Sequence, residues 1–273
     1  MMKSLTIAAV LMLPVVAHAG GFDLATTPAA VAPAPVMTKT PDLIFRLGAG
    51  VSYGPSYFGS DSSEAGPTGS FSLQFLRAPG GKSVGSETGE PRYGFAPRAS
   101  FRVIGKRSAK DHPELTGMKD VPLSVEVGFG LGYASQNFEA FGNLRYGAIG
   151  HEAWVGELGA DLVLHPSDRL TLKAGPRVVV GSNKYNDTYF GVTAAESVAS
   201  AGALAAYNPG SGVVSAGIEV GATYALNDTW SINGAVRYDR FQSDAKDSPI
   251  VAQGSADQVR VIIGASRLFS FNF

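Results

Sequence analysis

Three histidines are the side chains of this chain best suited to acid–base chemistry. His151 stands next to Glu152, and His112 follows Asp111; the third is His165, and a fourth histidine lies in the N-terminal leader. An imidazole beside a carboxylate can activate water for hydrolysis, as general base catalysis requires. Lone histidines in polar loops are usually just solvated, and the sequence has no GxSxG, HExxH or Cys/His metal spacing. We therefore predict no catalytic residue, metal site or cofactor, and keep a hydrolase at the rim as the weaker alternative.

A second set of reactive side chains is charged and alternates with apolar residues along the chain. Positively and negatively charged residues both occur in this set, which predicts a network of ion pairs on the inner side of a sheet rather than a substrate site. The set consists of Arg46, Arg98, Arg102, Glu126, Arg145, Glu157, Asp161, Lys173, Arg177, Glu219, Arg237 and Asp239.

Strands must position these charges, because successive side chains of a strand point to opposite faces. About ten segments alternate in this way: 42–53, 70–75, 92–103, 123–133, 138–146, 154–164, 170–180, 214–224, 230–239 and 259–273. The connections between them are by turns short and long, as in bacterial outer-membrane barrels. The predicted outside loops are 54–66, 104–120, 147–152, 181–212 and 242–257; the predicted inside turns are 134–136, 165–169 and 225–228, with a longer inside connection at 78–90.

The C-terminal segment gives the strongest indication of a membrane barrel. Phe269, Phe271 and Phe273 lie on its apolar face and Arg267 interrupts that face. A free aromatic edge would promote aggregation, whereas a barrel closes its last strand against its first. We expect this end to direct insertion by the barrel-assembly machinery and then to contact outer-membrane lipid.

The fold class predicted is therefore all-β: a transmembrane antiparallel barrel of about ten strands, with twelve as the alternative. The barrel would comprise residues 42–273 and would lie in the outer membrane of a Gram-negative cell. Aromatic residues near both ends of the predicted strands indicate two belts of aromatic side chains, one at each membrane surface. A soluble β-sandwich or a lipocalin-like barrel could also alternate, but would not need them.

Residues 1–19 are typical of a cleaved signal peptide, with Lys3, an apolar core and a small-residue cleavage site, and imply Sec-type export. Residues 20–41 are rich in Ala, Pro and Thr, which predicts a flexible periplasmic lead-in. The formal net charge of −1 gives no reason to expect nucleic-acid binding, and the absence of cysteine means that disulfides cannot stabilise the exported chain.

Several long motifs resemble the MipA/OmpV family of outer-membrane proteins. They are GPSYFGSD at 54–61, IGKR…LTGMKDVPLSVEVG ending at Gly128, GHEAWVGELGADL at 150–162, KYNDTYFGVTAAES at 184–197 and DAKDSPIV at 244–251. The family is named after interaction with the lytic transglycosylase MltA. The resemblance implies a non-enzymatic barrel that acts as a scaffold between a murein hydrolase and a murein synthase.

Two alternatives to the scaffold stay open: a surface adhesin or ligand-binding barrel, and a narrow pore. A scaffold would use the lead-in and the inside turns, whereas an adhesin would use the outside loops. The family motifs place candidate contact residues in the outside loops, where they could also simply pack over the barrel mouth. These candidates are Tyr57, Tyr185, Tyr189, Phe190, Asp247, Ser248 and Pro249.

Overall fold

The computed structural model describes residues 41–78, 80, 83–86 and 93–273. The expected signal peptide and, except for Pro41, the expected lead-in lie outside these residues. Within these described residues, eleven strands make up the sheet: β1 Leu43–Pro55, β2 Ser63–Arg77, β3 Ser83–Gly85, β4 Gly94–Ile104, β5 Ser124–Ala134, β6 Phe138–Ile149, β7 Trp154–Ser167, β8 Leu170–Gly181, β9 Gly212–Ala225, β10 Trp230–Phe241 and β11 Asp257–Phe271. In the described part of the chain, no helix is long and apolar enough to cross a membrane.

The strands form one antiparallel sheet that curls into a nearly closed barrel. Its order is β3-β2-β1-β11-β10-β9-β8-β7-β6-β5-β4, so the last strand pairs with the first as predicted. β4 also contacts β2, which brings the two ends of the sheet together. The long connections 105–123, 182–211 and 242–256 lie at one end, called here the loop end, together with 56–62 and 150–153. The turns 135–137, 168–169 and 226–229 lie at the other, called here the turn end.

The two faces of the sheet are sorted as a membrane barrel requires. Large apolar side chains such as Val51, Phe129 and Leu158 are exposed on the outer face, whereas Arg102, Glu126 and many other polar side chains are buried inside. The neighbours Ile262 and Ile263 are chemically alike but 1% and 64% exposed, because they point to opposite faces. A water-soluble β-sandwich would have buried these alternating apolar side chains in its core. The alternation of the sequence therefore reflects lipid outside and a polar lumen inside.

The β1–β2 hairpin differs from the prediction in two respects. β2 begins at Ser63, so the outside loop is 56–62 rather than 54–66. Phe75, expected on the lipid face, is completely buried opposite Ile44, because the register shifts between Ile44 and Phe45. Such a bulge moves the following side chains to the other face. The short strand β3 lies within the connection 78–90, for which we predicted no strand.

Arg267, the charge that interrupts the apolar face of β11, is explained by its neighbours. Its guanidinium lies 5.5 Å from the ring centroid of Trp230 and 5.2 Å from that of Phe269. Trp230 is the first residue of β10, at the turn end. A cation stacked on aromatic rings near the membrane surface keeps its charge close to water while its stem covers apolar surface.

The main hydrophobic core lies above the barrel, at the loop end. Four short helices fold there: α1 Asn183–Phe190, α2 Ala194–Ala199, α3 Ser243–Lys246 and α4 Pro249–Ala252, with a 3-10 turn at Pro113–Leu115. Their apolar side chains pack with those of the strand ends into one buried cluster. We call these packed loops the loop cap. Its members are Tyr57, Ile104, Leu115, Met118, Val121, Ala153, Val155, Val179, Tyr185, Tyr189, Phe190, Val192, Leu204, Val214, Phe241, Ala245, Ile250 and Val251.

Candidate functional site

Glu126 is the centre of the charged network in the upper lumen. Its carboxylate accepts two hydrogen bonds from Arg102, at 2.8 and 2.6 Å, and one from Arg145 at 2.9 Å. All three side chains are almost completely buried. A buried carboxylate is tolerated only when it is paired and hydrogen-bonded in this way. Because β4, β5 and β6 carry one of these residues each, the network ties three neighbouring strands together.

The network continues across the lumen through Glu157. This carboxylate accepts from Arg145 at 2.9 Å and from Arg237 at 2.7 Å, the latter 80 positions away in sequence. Arg237 also donates to Asp239 at 2.6 Å. A contact from β7 to β10 spans the interior, since these strands are not neighbours in the sheet. The interior is therefore filled by paired side chains at this level.

Three further ion pairs lie in the lumen. Arg177 donates to Asp161 at 3.0 Å and to Glu219 at 2.9 Å, and Lys173 donates to Glu139 at 2.8 Å. The remaining predicted lumen charges are Arg46, which donates to Ser231 at 3.1 Å, and Arg98, whose guanidinium lies 4.3 Å from the ring centroid of Phe141. The structure thus brings all twelve predicted charges into the barrel interior.

His151 is buried in the network rather than solvated in a loop. Its Nδ1 accepts from the backbone N–H of Ala153 at 3.1 Å, which places the proton on Nε2. Nε2 lies 3.2 Å from a carboxylate oxygen of Glu126, to which it donates. The sequence neighbour Glu152 instead forms an exposed pair with Lys184 at 3.2 Å. The pair considered for hydrolysis is therefore separated into two different environments.

Aromatic side chains of α1 connect the loop cap to the lumen network. The Tyr185 hydroxyl accepts a hydrogen bond from Arg102 at 3.0 Å, and that of Tyr189 donates to Ser124 at 3.1 Å. Burial raises the pKa of Tyr185 to about 12, and the charge of Glu126 adds to this rise while that of Arg102 opposes it. Both hydroxyls are therefore neutral hydrogen-bonding groups at any physiological pH.

Local capping explains the second helix of the long loop 182–211, α2. Thr193 and Glu196 form a capping box at the start of α2, the pattern predicted by a Thr followed three residues later by Glu. Glu196 also accepts from the backbone N–H of Lys119 at 3.0 Å, which joins this loop to the connection between β4 and β5. Burial would raise the pKa of Glu196, but these hydrogen bonds outweigh it and lower the pKa.

The seven candidate contact residues lie mostly inside the loop cap. Six of them are packed there and Asp247 is exposed at the surface. The structure brings together Tyr57, Tyr185, Tyr189, Phe190, Ser248 and Pro249, of which all but Pro249 are buried. Ser248 begins α4 and donates to the carbonyl of Phe190 at 2.7 Å, so that two loops are joined. These positions support the loop architecture, and a partner would meet other residues first.

The three C-terminal phenylalanines lie where β11 joins β1. The rings of Phe269 and Phe271 stack against Phe45 at 5.4 and 5.8 Å between centroids, and Phe273 is exposed beyond the end of the strand.

Among the described residues, no group of three or more His, Asp and Glu side chains is arranged to hold a metal ion.

Comparison with known families identifies this architecture. The sequence model of the family described as "MltA-interacting protein MipA" matches residues 47–269. The chain belongs to the MipA family. It is an outer-membrane β-barrel, and the sorting of its two faces is what that location demands.

Curated relatives agree with this assignment over part of the barrel. The MltA-interacting protein of Escherichia coli (strain K12) is 32% identical over 133 residues, which cover 45% of this chain and 49% of the relative. The protein of the same description from Shigella flexneri matches with the same values. The chain thus spans about half the length of the curated relatives it matches.

Solved outer-membrane proteins resemble this MipA-family barrel only loosely. OprG from Pseudomonas aeruginosa is 12% identical, with 84% of this chain and 97% of OprG covered and a TM-score of 0.28. The NanC porin is 9% identical, with 85% of this chain and 100% of NanC covered and a TM-score of 0.35. At these scores the likenesses carry no argument about function.

Proposed function

We propose that this MipA-family barrel is a non-enzymatic interaction protein that holds a murein hydrolase of the lytic transglycosylase type at the outer membrane. The observation that carries the proposal is the filled interior. Arg145, Glu157 and Arg237 bridge the lumen, and the loop cap packs over its mouth. A barrel filled in this way acts through its ends. The name of the curated relatives supplies the class of partner.

The turn end is the surface we assign to the hydrolase, because murein lies on the periplasmic side of the membrane. Three of its connections, 135–137, 168–169 and 226–229, are short, and Gln136, Arg169 and Asn227 are exposed there. Short turns held between long strands form a rigid surface that loses little entropy on binding. The lead-in, residues 20–41, would reach the same compartment and could add a second contact.

A pull-down with a purified MltA-type lytic transglycosylase tests this assignment. The full-length barrel in detergent should retain the enzyme, and the double variant Q136E/R169E should retain at least tenfold less. A deletion of residues 20–41 measures the share of the lead-in separately. The matched control is V198D, since Val198 is 81% exposed in the loop cap at the opposite end. Failure of the intact barrel to bind, or loss of binding in V198D alone, would contradict the proposal.

A second candidate function is recognition of a ligand or host surface at the loop end. It is favoured by the order of the loop cap, in which helices α1 to α4 present a preorganised outer surface. Preorganisation reduces the entropy lost on binding. V198D would then reduce attachment to the host cell surface while Q136E/R169E would not, so the same two variants separate the candidates.

A further inference from the structure

One arginine on the lipid-facing side of β11 is surrounded by uncharged side chains. Arg267 is exposed on this face, and Trp230 of β10 and Leu47 of β1 lie directly opposite it. Ala265 and Phe269 precede and follow it on the same face of β11. Within the part of the chain that the structure describes, its guanidinium contacts the rings of Trp230 and Phe269 and forms no ion pair. The protein therefore does not neutralise this positive charge.

Arg267 lies at the level where the apolar band of the barrel ends. Arg240 of β10 stands opposite Asp257 of β11 at the loop end of these two strands, and Trp230 stands opposite Arg267 at the turn end. Ten residue steps of β11 separate Asp257 from Arg267, which is about 25 Å along the membrane normal at about 3.4 Å a residue and a strand tilt of about 40°. The apolar band of an outer-membrane barrel is about 25 Å tall. The two ends of this strand pair therefore lie at the two levels of lipid headgroups.

The arginines at these two levels differ in how their charge is balanced. At the loop end, the guanidinium of Arg240 lies 3.7 Å from the carboxylate of Asp257. At the turn end, the positions around Arg267 hold aromatic and aliphatic side chains. A cation at the boundary of the hydrocarbon region is costly unless an anion pairs with it. At this depth the membrane itself supplies an anion, the phosphate of a lipid headgroup.

We propose that Arg267 and Trp230 bind the headgroup of an anionic phospholipid in the periplasmic leaflet. The turn end is periplasmic, because the short connections of such barrels lie on that side. Guanidinium binds phosphate with paired, charge-assisted hydrogen bonds, and an indole ring is favoured at headgroup level. The acyl chains lie along the apolar residues Val261, Ile263 and Ala265 of the same face. A headgroup with its own ammonium already balances its phosphate, so an anionic lipid such as phosphatidylglycerol binds more tightly.

Quenching of Trp230 fluorescence by brominated lipids tests the proposal. Trp154 and Trp230 are the two tryptophans of the chain, so W154F leaves Trp230 as the single reporter. The full-length W154F barrel is folded into phosphatidylcholine vesicles that contain the same fraction of either brominated phosphatidylglycerol or brominated phosphatidylcholine. Phosphatidylglycerol should occupy the site beside Trp230 about fivefold more strongly. Equal quenching by the two lipids would overturn the proposal.

Two variants in the W154F background assign this preference to Arg267. R267Q should remove the preference for phosphatidylglycerol, whereas the matched control R240Q should keep it, because Arg240 is the exposed arginine at the other end of the same strand pair. A purely structural effect of R267Q would change quenching by both lipids alike, so the ratio between the two lipids is the measurement. Heat-modifiable migration on a gel checks that R267Q folds. A preference retained in folded R267Q would refute the assignment of Arg267.

Salt provides a second measurement that needs no substitution of Arg267. At an ionic strength of about 1 M, the Debye length falls to about 3 Å, so the preference of the W154F barrel for phosphatidylglycerol should decrease. A preference that is unchanged in high salt would show that the lipid is not held by its charge, and would also refute the proposal.

Discussion

Replacement of Glu126 by Gln is the substitution that tests the lumen network most sharply. The side chain keeps its volume but loses the charge that binds Arg102, Arg145 and His151. The amide can accept with its oxygen, but its NH₂ group would face a guanidinium donor. Arg102 would keep its bond to Tyr185, and Arg145 its bond to Glu157.

The expected loss follows from burial. Removing one partner of a buried charge pair costs about 3–5 kcal/mol, because the remaining charge is left desolvated. Because Arg102 and Arg145 retain other hydrogen bonds, the loss in unfolding free energy for E126Q should lie near the lower end of this range, at about 3 kcal/mol. The matched control is E152Q, which breaks the exposed pair with Lys184 and should cost less than about 1 kcal/mol.

Urea unfolding in phospholipid vesicles, followed by tryptophan fluorescence, measures both values. E126Q should have a lower urea midpoint, and E152Q a midpoint near that of the wild type. Unfolding of E126Q within about 1 kcal/mol of the wild type would show that the network does not stabilise the barrel.

Three further outcomes are expected in the same unfolding assay. The folded pKa of Glu196 is lowered, so its carboxylate stabilises the loop cap above about pH 4.3. That contribution is lost as the pH falls through the folded pKa. The wild type should therefore be more stable than E196Q at neutral pH and lose this difference in unfolding free energy on acidification. Gly59 has a φ of +96°, and an added Cβ would lie 2.9 Å from Val251, so G59A should destabilise by more than about 1 kcal/mol; an unchanged midpoint would argue against this packing. R267A should cost about 0.5–1 kcal/mol and alter the emission of Trp230, and identical spectra would contradict the stacked arrangement.

The long strands could be predicted from the sequence because alternation is a local property. All ten long strands were expected, and the C-terminal pairing with β1 followed from the exposed phenylalanines. β3 was missed because a strand of three residues is too short to show an alternating pattern. The start of β2 was missed because its outward positions carry Ser63, Ala65, Pro67 and Gly69 instead of large apolar side chains. The inward turn of Phe75 depends on a bulge at Gln74 in β2 itself, which the alternation of the sequence does not reveal.

The loop cap could not be predicted because its contacts join distant segments. His151 looks like a solvated loop residue in sequence, yet Glu126 and Ala153 bury it. For the motif residues of the outside loops, the sequence left surface contact and packing over the barrel mouth both open, and the buried Tyr185 and Tyr189 pack. A helix signal was present at Thr193 and Glu196, and it would have indicated that this loop folds.

In this barrel the outer face of the sheet contacts lipid, while the inner face encloses a polar lumen. The absence of cysteine allows single cysteines at Ile262 and Ile263, two adjacent residues of identical chemistry. After folding into vesicles, spin labels attached at the two positions are compared for relaxation by oxygen dissolved in the lipid. Strong oxygen relaxation is expected at position 263 and little at position 262. Equal relaxation at both positions, or the reverse order, would show that the two faces are not divided between lipid and lumen.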